Sequence, residues 1–262
     1  METPLEQYDV LVVGAGPAGL TTAAGLARAG VRVLVVEKHA GTSIFPKAAG
    51  VRPRTMEILR SWGLDQRVYA AGQDVRLELG ISPVLADPVV AVESLGAPVA
   101  QYVATMSPSR FAFVPQDHLE PVLLEHVQDR GGEVRFRTEL LGFEVDGDGV
   151  RATLRPRSAS TPQYDVRAQY LVGADGPRST VRRALGIELE HLGSEGRQLT
   201  YLFAGDDFTD RSGLCFNLHR IGGDLHDFRK LSDFQGYVLI CHVCDTDSYV
   251  ADRCFLKTAF CY

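Results

Sequence analysis

The feature that most restricts this chain is a six-residue turn, Gly14-Ala15-Gly16-Pro17-Ala18-Gly19, lodged between two apolar runs rich in β-branched residues. Tyr8–Val13 and Val31–Val36 have the composition of buried parallel strands. The Ala-rich segment between them carries Pro17 near its start and Gly30 just past Ala29, the order in which helices begin and stop. Strand, turn, helix and strand therefore succeed one another within about 30 residues, the length of a βαβ unit. The implied fold class is α/β, with a Rossmann-type dinucleotide-binding core.

A diphosphate needs close backbone approach and N–H donors, and glycines at 14, 16 and 19 leave the start of the helix bare enough to supply both. The helix dipole adds partial positive charge at the same place. Glu37 stands at the end of the second run, 18 residues after Gly19, where its carboxylate can accept from both ribose hydroxyls of an adenosine and repel a 2′-phosphate. Glycine loop, flanking strands and following acid together specify an adenosine diphosphate site. NAD and FAD share that half, so the pattern alone leaves both open.

Composition excludes other classes. With 33 acidic residues against 27 Lys and Arg, the chain has a net charge of -6, and no basic run suggests a surface for nucleic acid. The uncharged stretch Val10–Ala27 contains four glycines and a proline and follows Glu2, Glu6 and Asp9, which argues against a membrane span or a secretory leader. A soluble cytoplasmic protein is expected.

Three later segments separate FAD from NAD. The first is Phe45-Pro46-Lys47-Ala48-Ala49-Gly50-Val51, followed by an amphipathic helix pattern from Arg54 to Gly63 with Met56, Leu59 and Trp62 at helical spacing. The second is Phe113-Val114-Pro115-Gln116-Asp117-His118-Leu119-Glu120, in which Asp117 and Glu120 have capping-box spacing at a helix start. The third runs from Tyr170 through Gly173-Ala174-Asp175-Gly176-Pro177 to Gly186: a short strand ending in Asp175, with a helix beginning near Pro177. In this order the segments resemble the aromatic-hydroxylase, p-hydroxybenzoate hydroxylase-like group of single-component FAD-dependent monooxygenases. Read from the residues alone, the same segments are a core helix, a helix start with an exposed Gln, and an Asp-Gly turn capping a helix.

The resemblance implies that FAD is bound by Gly14, Ala15, Gly16, Pro17, Ala18 and Gly19, by Glu37 on the ribose, by Lys38 and Lys47 near phosphate or flavin, by Gln116 beside the flavin chain and by Asp175 at the Asp-Gly turn. Lys38 and Lys47 stand where the family more often has Arg, so the charge is kept and the planar fork is lost. It further implies that FAD is reduced by NAD(P)H and that one atom of dioxygen passes to an aromatic or polyketide-like small molecule. No catalytic acid or base is assigned. A related FAD-dependent reductase or dehydrogenase would share all three segments.

Segments 6–72 and 111–188 are expected to form a discontinuous FAD-binding domain, and 73–110 with 189–207 part of an antiparallel substrate sheet, with strands such as Val75–Leu79 and Val99–Val103. After the Asp117–Arg130 helix and its Gly131-Gly132 stop, Glu133–Thr138, Leu140–Asp146 and Val150–Pro156 read as hairpin strands, with Gly147-Asp148-Gly149 as a turn.

Composition shifts downstream: all five cysteines fall in the last 48 residues, and all thirteen prolines lie at or before Pro177. No Gly-Asp pair after Asp175 leads into the small-residue helix of the family's third flavin motif. Residues 208–262 are therefore expected to be a divergent, Cys-containing continuation of a truncated or altered chain, which leaves a non-catalytic FAD-binding remnant as an alternative. Cys241-His242-Val243-Cys244 offers half of a zinc site, but Cys254 and Cys261 make a poor second half, so no metal is expected. His39, His118 and His126 have no metal-ligand or triad spacing and read as solvated or helix-face residues.

Overall fold

The structure, a computed structural model, describes residues 5–45, 48, 50–73, 75–81, 91–94, 96–158, 161–190, 197–204, 214–221, 224–231 and 236–243. In chain order its elements begin with β1 (Glu6–Val13), α1 (Pro17–Arg28), β2 (Val33–Val36), α2 (Pro53–Ser61), α3 (Asp65–Ala71), β3 (Val75–Ile81) and β4 (Ala91–Ser94). They continue with α4 (Gly96–Ala104), α5 (Gln116–Asp129), β5 (Glu133–Arg135), β6 (Thr138–Asp146), β7 (Gly149–Pro156), β8 (Tyr164–Gly173) and α6 (Thr180–Ala184). The last four are β9 (Arg197–Ala204), β10 (Leu214–Ile221), β11 (Asp224–Leu231) and β12 (Gly236–Val243). The chain divides into two compact units, 1–45 with 116–190 and 46–115 with 191–262. The sequence reading puts the corresponding boundaries at 72, 110 and 188.

The first unit is built on a six-stranded sheet in the order β5-β2-β1-β8-β7-β6. β5, β2, β1 and β8 are parallel, and β7 and β6 complete it antiparallel. Val10–Val13 and Val33–Val36 are buried on both faces, which is why these runs are continuously apolar rather than alternating. Helix α1 packs beside α5, burying Leu20, Ala23, Ala24 and Ala27 of the one and Leu123 and Val127 of the other. A cluster that includes Leu11, Val13, Leu34 and Val36 gathers Val166 from β8 and Leu140 and Leu154 from the antiparallel strands.

The hairpin expectation fails for β5. It pairs parallel with β2, and the chain then reverses through Phe136-Arg137, where Arg137 takes φ 52°. The run Glu133–Thr138 is thus two strands split by a turn that apolar alternation does not reveal. Beyond the turn, Arg137 N donates to His39 O and Thr138 N to Glu37 O, each at 2.8 Å, so β6 begins against the segment that leaves β2.

Arg135 ties β5 to strands two and three places away. Its guanidinium donates to Glu6 and to the hydroxyls of Tyr8 and Tyr164, while Tyr8 donates to Glu133 at 2.7 Å. Burial and the two carboxylates push the Tyr8 hydroxyl well above its ordinary range.

In the second unit the sheet order is β4-β3-β10-β11-β12-β9. It is antiparallel except for β3 with β10, which run parallel. Residues 214–243 therefore supply three strands to the same sheet as β3. Val99–Val103, expected as a strand, lies in helix α4. Tyr102 is exposed and Val103 buried, and the Ala-rich 96–104 segment with Pro98 in its first turn suits a helix. Helix α2 starts on Pro53 and buries Met56 and Leu59, as the periodicity indicates. Among the described residues no helix is long and apolar enough to cross a membrane.

Candidate functional site

Three parallel strands end side by side in the first unit. Register places Val13 opposite both Val36 and Gly173, so Gly14, Glu37 and Ala174 leave the sheet together at the carboxyl edge where open α/β sheets bind ligands. Gly14 N donates to Val36 O and Ala174 N to Val13 O, each at 2.8 Å.

The turn folds tightly on itself. Gly14 has φ 106°, and a Cβ there would lie 2.4 Å from Ala174 O. A Cβ on Gly19 would lie 1.9 Å from Gly14 O, so both positions admit only hydrogen. Gly16 differs: it is the N-cap of α1, no side chain caps it, and the nearest atom to its imagined Cβ is Glu120 Oε1 at 4.0 Å. An uncapped helix start with open space before it, Pro17 at the first helical position and Ala18 behind, suits a diphosphate.

Glu37 closes the loop from the other side. Its Oε2 accepts from Ala15 N at 2.9 Å, which removes that amide from the donors facing a phosphate. Its Oε1 accepts from His39 N at 2.9 Å and from His39 Nδ1 at 2.6 Å. Burial works to raise this carboxyl, but the amides of Ala15 and His39 and the imidazole together hold it below its ordinary value. A carboxylate fixed in this way retains lone pairs for hydroxyl donors and presents fixed negative charge to a 2′-phosphate. His39 is a partner that sequence reasoning missed; the only signal is its place two residues after the acid.

Gln116 opens α5, and its Nε2 donates to Glu120 Oε1 at 2.7 Å. Glu120 is buried to 1% exposure and its Oε2 accepts from Ser43 N at 2.5 Å. The capping-box reading of Glu120 is thus replaced by a bridge to Gln116 and to the segment after β2, because the side chain turns inward rather than back along its own helix. The spacing of 116 and 120 was visible in the sequence, but the Ser43 contact, 77 residues away, was not.

Asp175 lies at the end of β8 beside Gly14, as expected, but its carboxylate is turned to α6. It accepts from Ser179 Oγ at 2.5 Å, Thr180 N at 2.6 Å and Val181 N at 3.3 Å. Ser179 in turn accepts from Arg182 N at 2.9 Å, so α6 starts at Thr180 rather than near Pro177. Pro177 lies in the turn before it. Lys38 is exposed; with Arg157 it assists Arg155, the main cause, in holding Glu139 below its ordinary value. Lys47 lies outside the described residues, as do Cys244, Cys254 and Cys261. Cys241 is a strand residue of β12 opposite His226 and Leu199. Among the described residues no group of three or more His, Cys, Asp or Glu side chains is arranged to hold a metal.

Residues 7–215 match the family model described as "FAD binding domain". The chain belongs to the FAD-binding domain family. Within it, aklavinone 12-hydroxylase of Streptomyces peucetius is 42% identical over 209 residues, covering 76% of this chain and 41% of that protein. The 2,4-dichlorophenol 6-monooxygenase of Cupriavidus pinatubonensis is 40% identical over 205 residues, covering 76% of this chain and 34% of that protein. The crystal structure of aklavinone-11 hydroxylase with FAD and aklavinone aligns with a TM-score of 0.78 at 34% identity, covering 93% of this chain and 47% of that one. The chain therefore spans less than half the length of these relatives, and its fold is the Rossmann-type fold of FAD-dependent monooxygenases.

Proposed function

We propose that this chain forms the FAD-binding part of an NAD(P)H-dependent monooxygenase that hydroxylates an aromatic, polyketide-like small molecule in the cytoplasm. The observation that carries this reading is the meeting of the uncapped α1 start, Glu37 and the Gln116 amide at one carboxyl edge of the parallel sheet. Family membership supports FAD, and the relatives whose names specify aklavinone or dichlorophenol support the substrate class.

In this reading the first turn of α1 binds the diphosphate, with Gly14, Ala15, Gly16, Pro17, Ala18 and Gly19 shaping the approach. Glu37 accepts the ribose hydroxyls, and Lys38 and Lys47 contribute positive charge toward phosphate or flavin. Gln116 contacts the flavin chain. Asp175 acts through its turn and the α6 cap, since its carboxylate oxygens are already hydrogen-bonded. FAD, when bound and reduced by NAD(P)H, would supply the two electrons with which one atom of dioxygen enters the ring and the other leaves as water. The protein's part is to hold it in one orientation and keep water away.

The visible spectrum of the purified chain, before and after FAD addition and desalting, tests the cofactor half of the proposal. Retained flavin absorbance with an FAD-dependent rise in Tm is expected; neither appearing would refute it. Oxygen uptake matched by hydroxylated product, measured with the complete protein, separates a monooxygenase from an FAD-dependent reductase.

A further inference from the structure

The carboxylate of Glu120 is the most deeply buried acidic group described in the first unit, and nothing in the proposed chemistry uses it. Among the described residues the donors to it are Gln116 Nε2 and Ser43 N, both uncharged. Taking a carboxylate out of water costs several kcal/mol on an order-of-magnitude scale, and two N–H donors compensate only in part. The same helix fills nearby inward positions with Leu123 and Val127, so position 120 has an apolar environment on its own element. The placement is also electrostatically adverse for an anion, because Oε1 lies 4.0 Å from where a Gly16 Cβ would be, at the loop proposed to take a diphosphate.

What the carboxylate achieves is polarity. An amide side chain has a donor end and an acceptor end that can exchange by a half-turn, and a carboxylate can accept only. With Nε2 of Gln116 drawn onto Glu120 Oε1 at 2.7 Å, the carbonyl oxygen is turned away from Glu120. The second oxygen, on Ser43 N, fixes the carboxylate plane against the segment that follows Glu37. One buried group thus ties the start of α5 to the segment after β2, close to the start of α1.

We infer that Glu120 is a positioning residue that sets the Gln116 amide so that its oxygen is the atom offered to the hydroxyl-rich ribityl chain of FAD. This deepens the proposed function and rests on it. Glu120→Gln would present an amide N–H toward Gln116 and let it turn over. FAD affinity should then fall roughly 2- to 10-fold, the worth of one uncharged amide–hydroxyl hydrogen bond.

The test is a double-mutant cycle on the 262-residue chain, with FAD binding read by quenching of flavin fluorescence and the fold by circular dichroism and Tm without FAD. Glu120→Gln and Gln116→Ala should each weaken FAD binding, and the double variant should bind no more weakly than Gln116→Ala alone. Multiplying losses, or an unaltered Glu120→Gln, would overturn the inference while leaving FAD binding by the wild type intact. A wild type that takes up no FAD would instead bring down the proposed function, and this inference with it. If Glu120→Gln does not fold, the side-chain amide of Gln116 in the FAD-free wild type, assigned by its loss in Gln116→Ala, provides the check by NMR. One fixed, exchange-protected N–H is expected, and an averaged, rapidly exchanging pair would refute the assignment.

Discussion

Replacing Gly19 by Ala should open the phosphate turn, and the structure sets the scale of the damage. The added Cβ would lie 1.9 Å from Gly14 O, 3.0 Å from Gly14 C and 3.4 Å from Ala174 Cβ. Since real Cβ contacts essentially never fall below 3.0 Å, Gly14 O and the start of α1 must separate by at least about 1.1 Å. Neither can yield easily. Gly14 N is bonded to Val36 O, the next turn residue is held by Glu37, and Leu20 N closes the first helical turn on Gly16 O at 2.9 Å. Overpacking of this kind costs about 1–3 kcal/mol, and the obstructing atom is backbone, so the upper end applies. Alanine's better helix propensity returns about 1 kcal/mol, leaving a net loss of roughly 2 kcal/mol. At about 2–4 °C per kcal/mol for a chain of this size, Tm should fall by roughly 4–8 °C. Thermal unfolding by circular dichroism measures this, with Gly147→Ala as the control, since nothing lies within 4 Å of its Cβ. Under the proposed function FAD affinity should fall as well, because the displaced amides are those assigned there to the diphosphate. A Gly19→Ala variant with wild-type Tm and wild-type FAD binding would show that the turn is not closed in the way described.

Asp175→Ala removes the acceptor of Thr180 N and Val181 N and should cost about 0.5–2 kcal/mol in denaturant unfolding, the worth of a helix cap, whereas Asp175→Asn should cost less. Equal stability of the alanine variant and wild type would rule out the capping role. Arg135→Met should destabilise by about 1–2 kcal/mol rather than the 3–5 typical of a broken buried pair. The reason is that Glu6 and Glu133 have side chains 47% and 46% exposed, so water can solvate them when the guanidinium is gone. A loss above about 4 kcal/mol would contradict that argument. Glu37 is held below its ordinary value of 4.5, so its contribution to stability is complete above that pH and is lost as pH falls through the folded-state value. The difference in denaturant midpoint between wild type and Glu37→Gln should therefore shrink from pH 7 toward pH 3, and a difference that grows on acidification would refute it.

Local patterns settled much of the first unit. Two continuous apolar runs, a glycine turn and an Ala-rich helix bounded by Pro17 and Gly30 specify the βαβ unit, because each signal acts over a few residues and all agree. The same locality explains the errors. Val99–Val103 alternates like a strand and is a helix, and Glu133–Thr138 alternates polar and apolar throughout yet is interrupted by a turn at Arg137. In both, a short window is compatible with two periods and the surroundings choose between them.

For the site, the residue types that a dinucleotide requires were legible at Gly14–Gly19, Glu37 and Gln116, since close approach, a ribose acceptor and a polar amide each demand a particular side chain or its absence. Which atoms those groups have left to offer was decided by contacts between distant segments. Ala15 N is taken by Glu37, the carboxylate of Asp175 is directed to α6, and Glu120 turns inward to Gln116 and Ser43. A hydrogen-bonding side chain has more partners available than sequence spacing can rank, and burial makes the choice by leaving no polar group in the interior without one. The sequence alone determined that a glycine turn leading into a helix would form at the carboxyl edge of a parallel sheet; contacts of α5 and the segment after β2 decided which amides and carboxylate oxygens near that turn are already hydrogen-bonded.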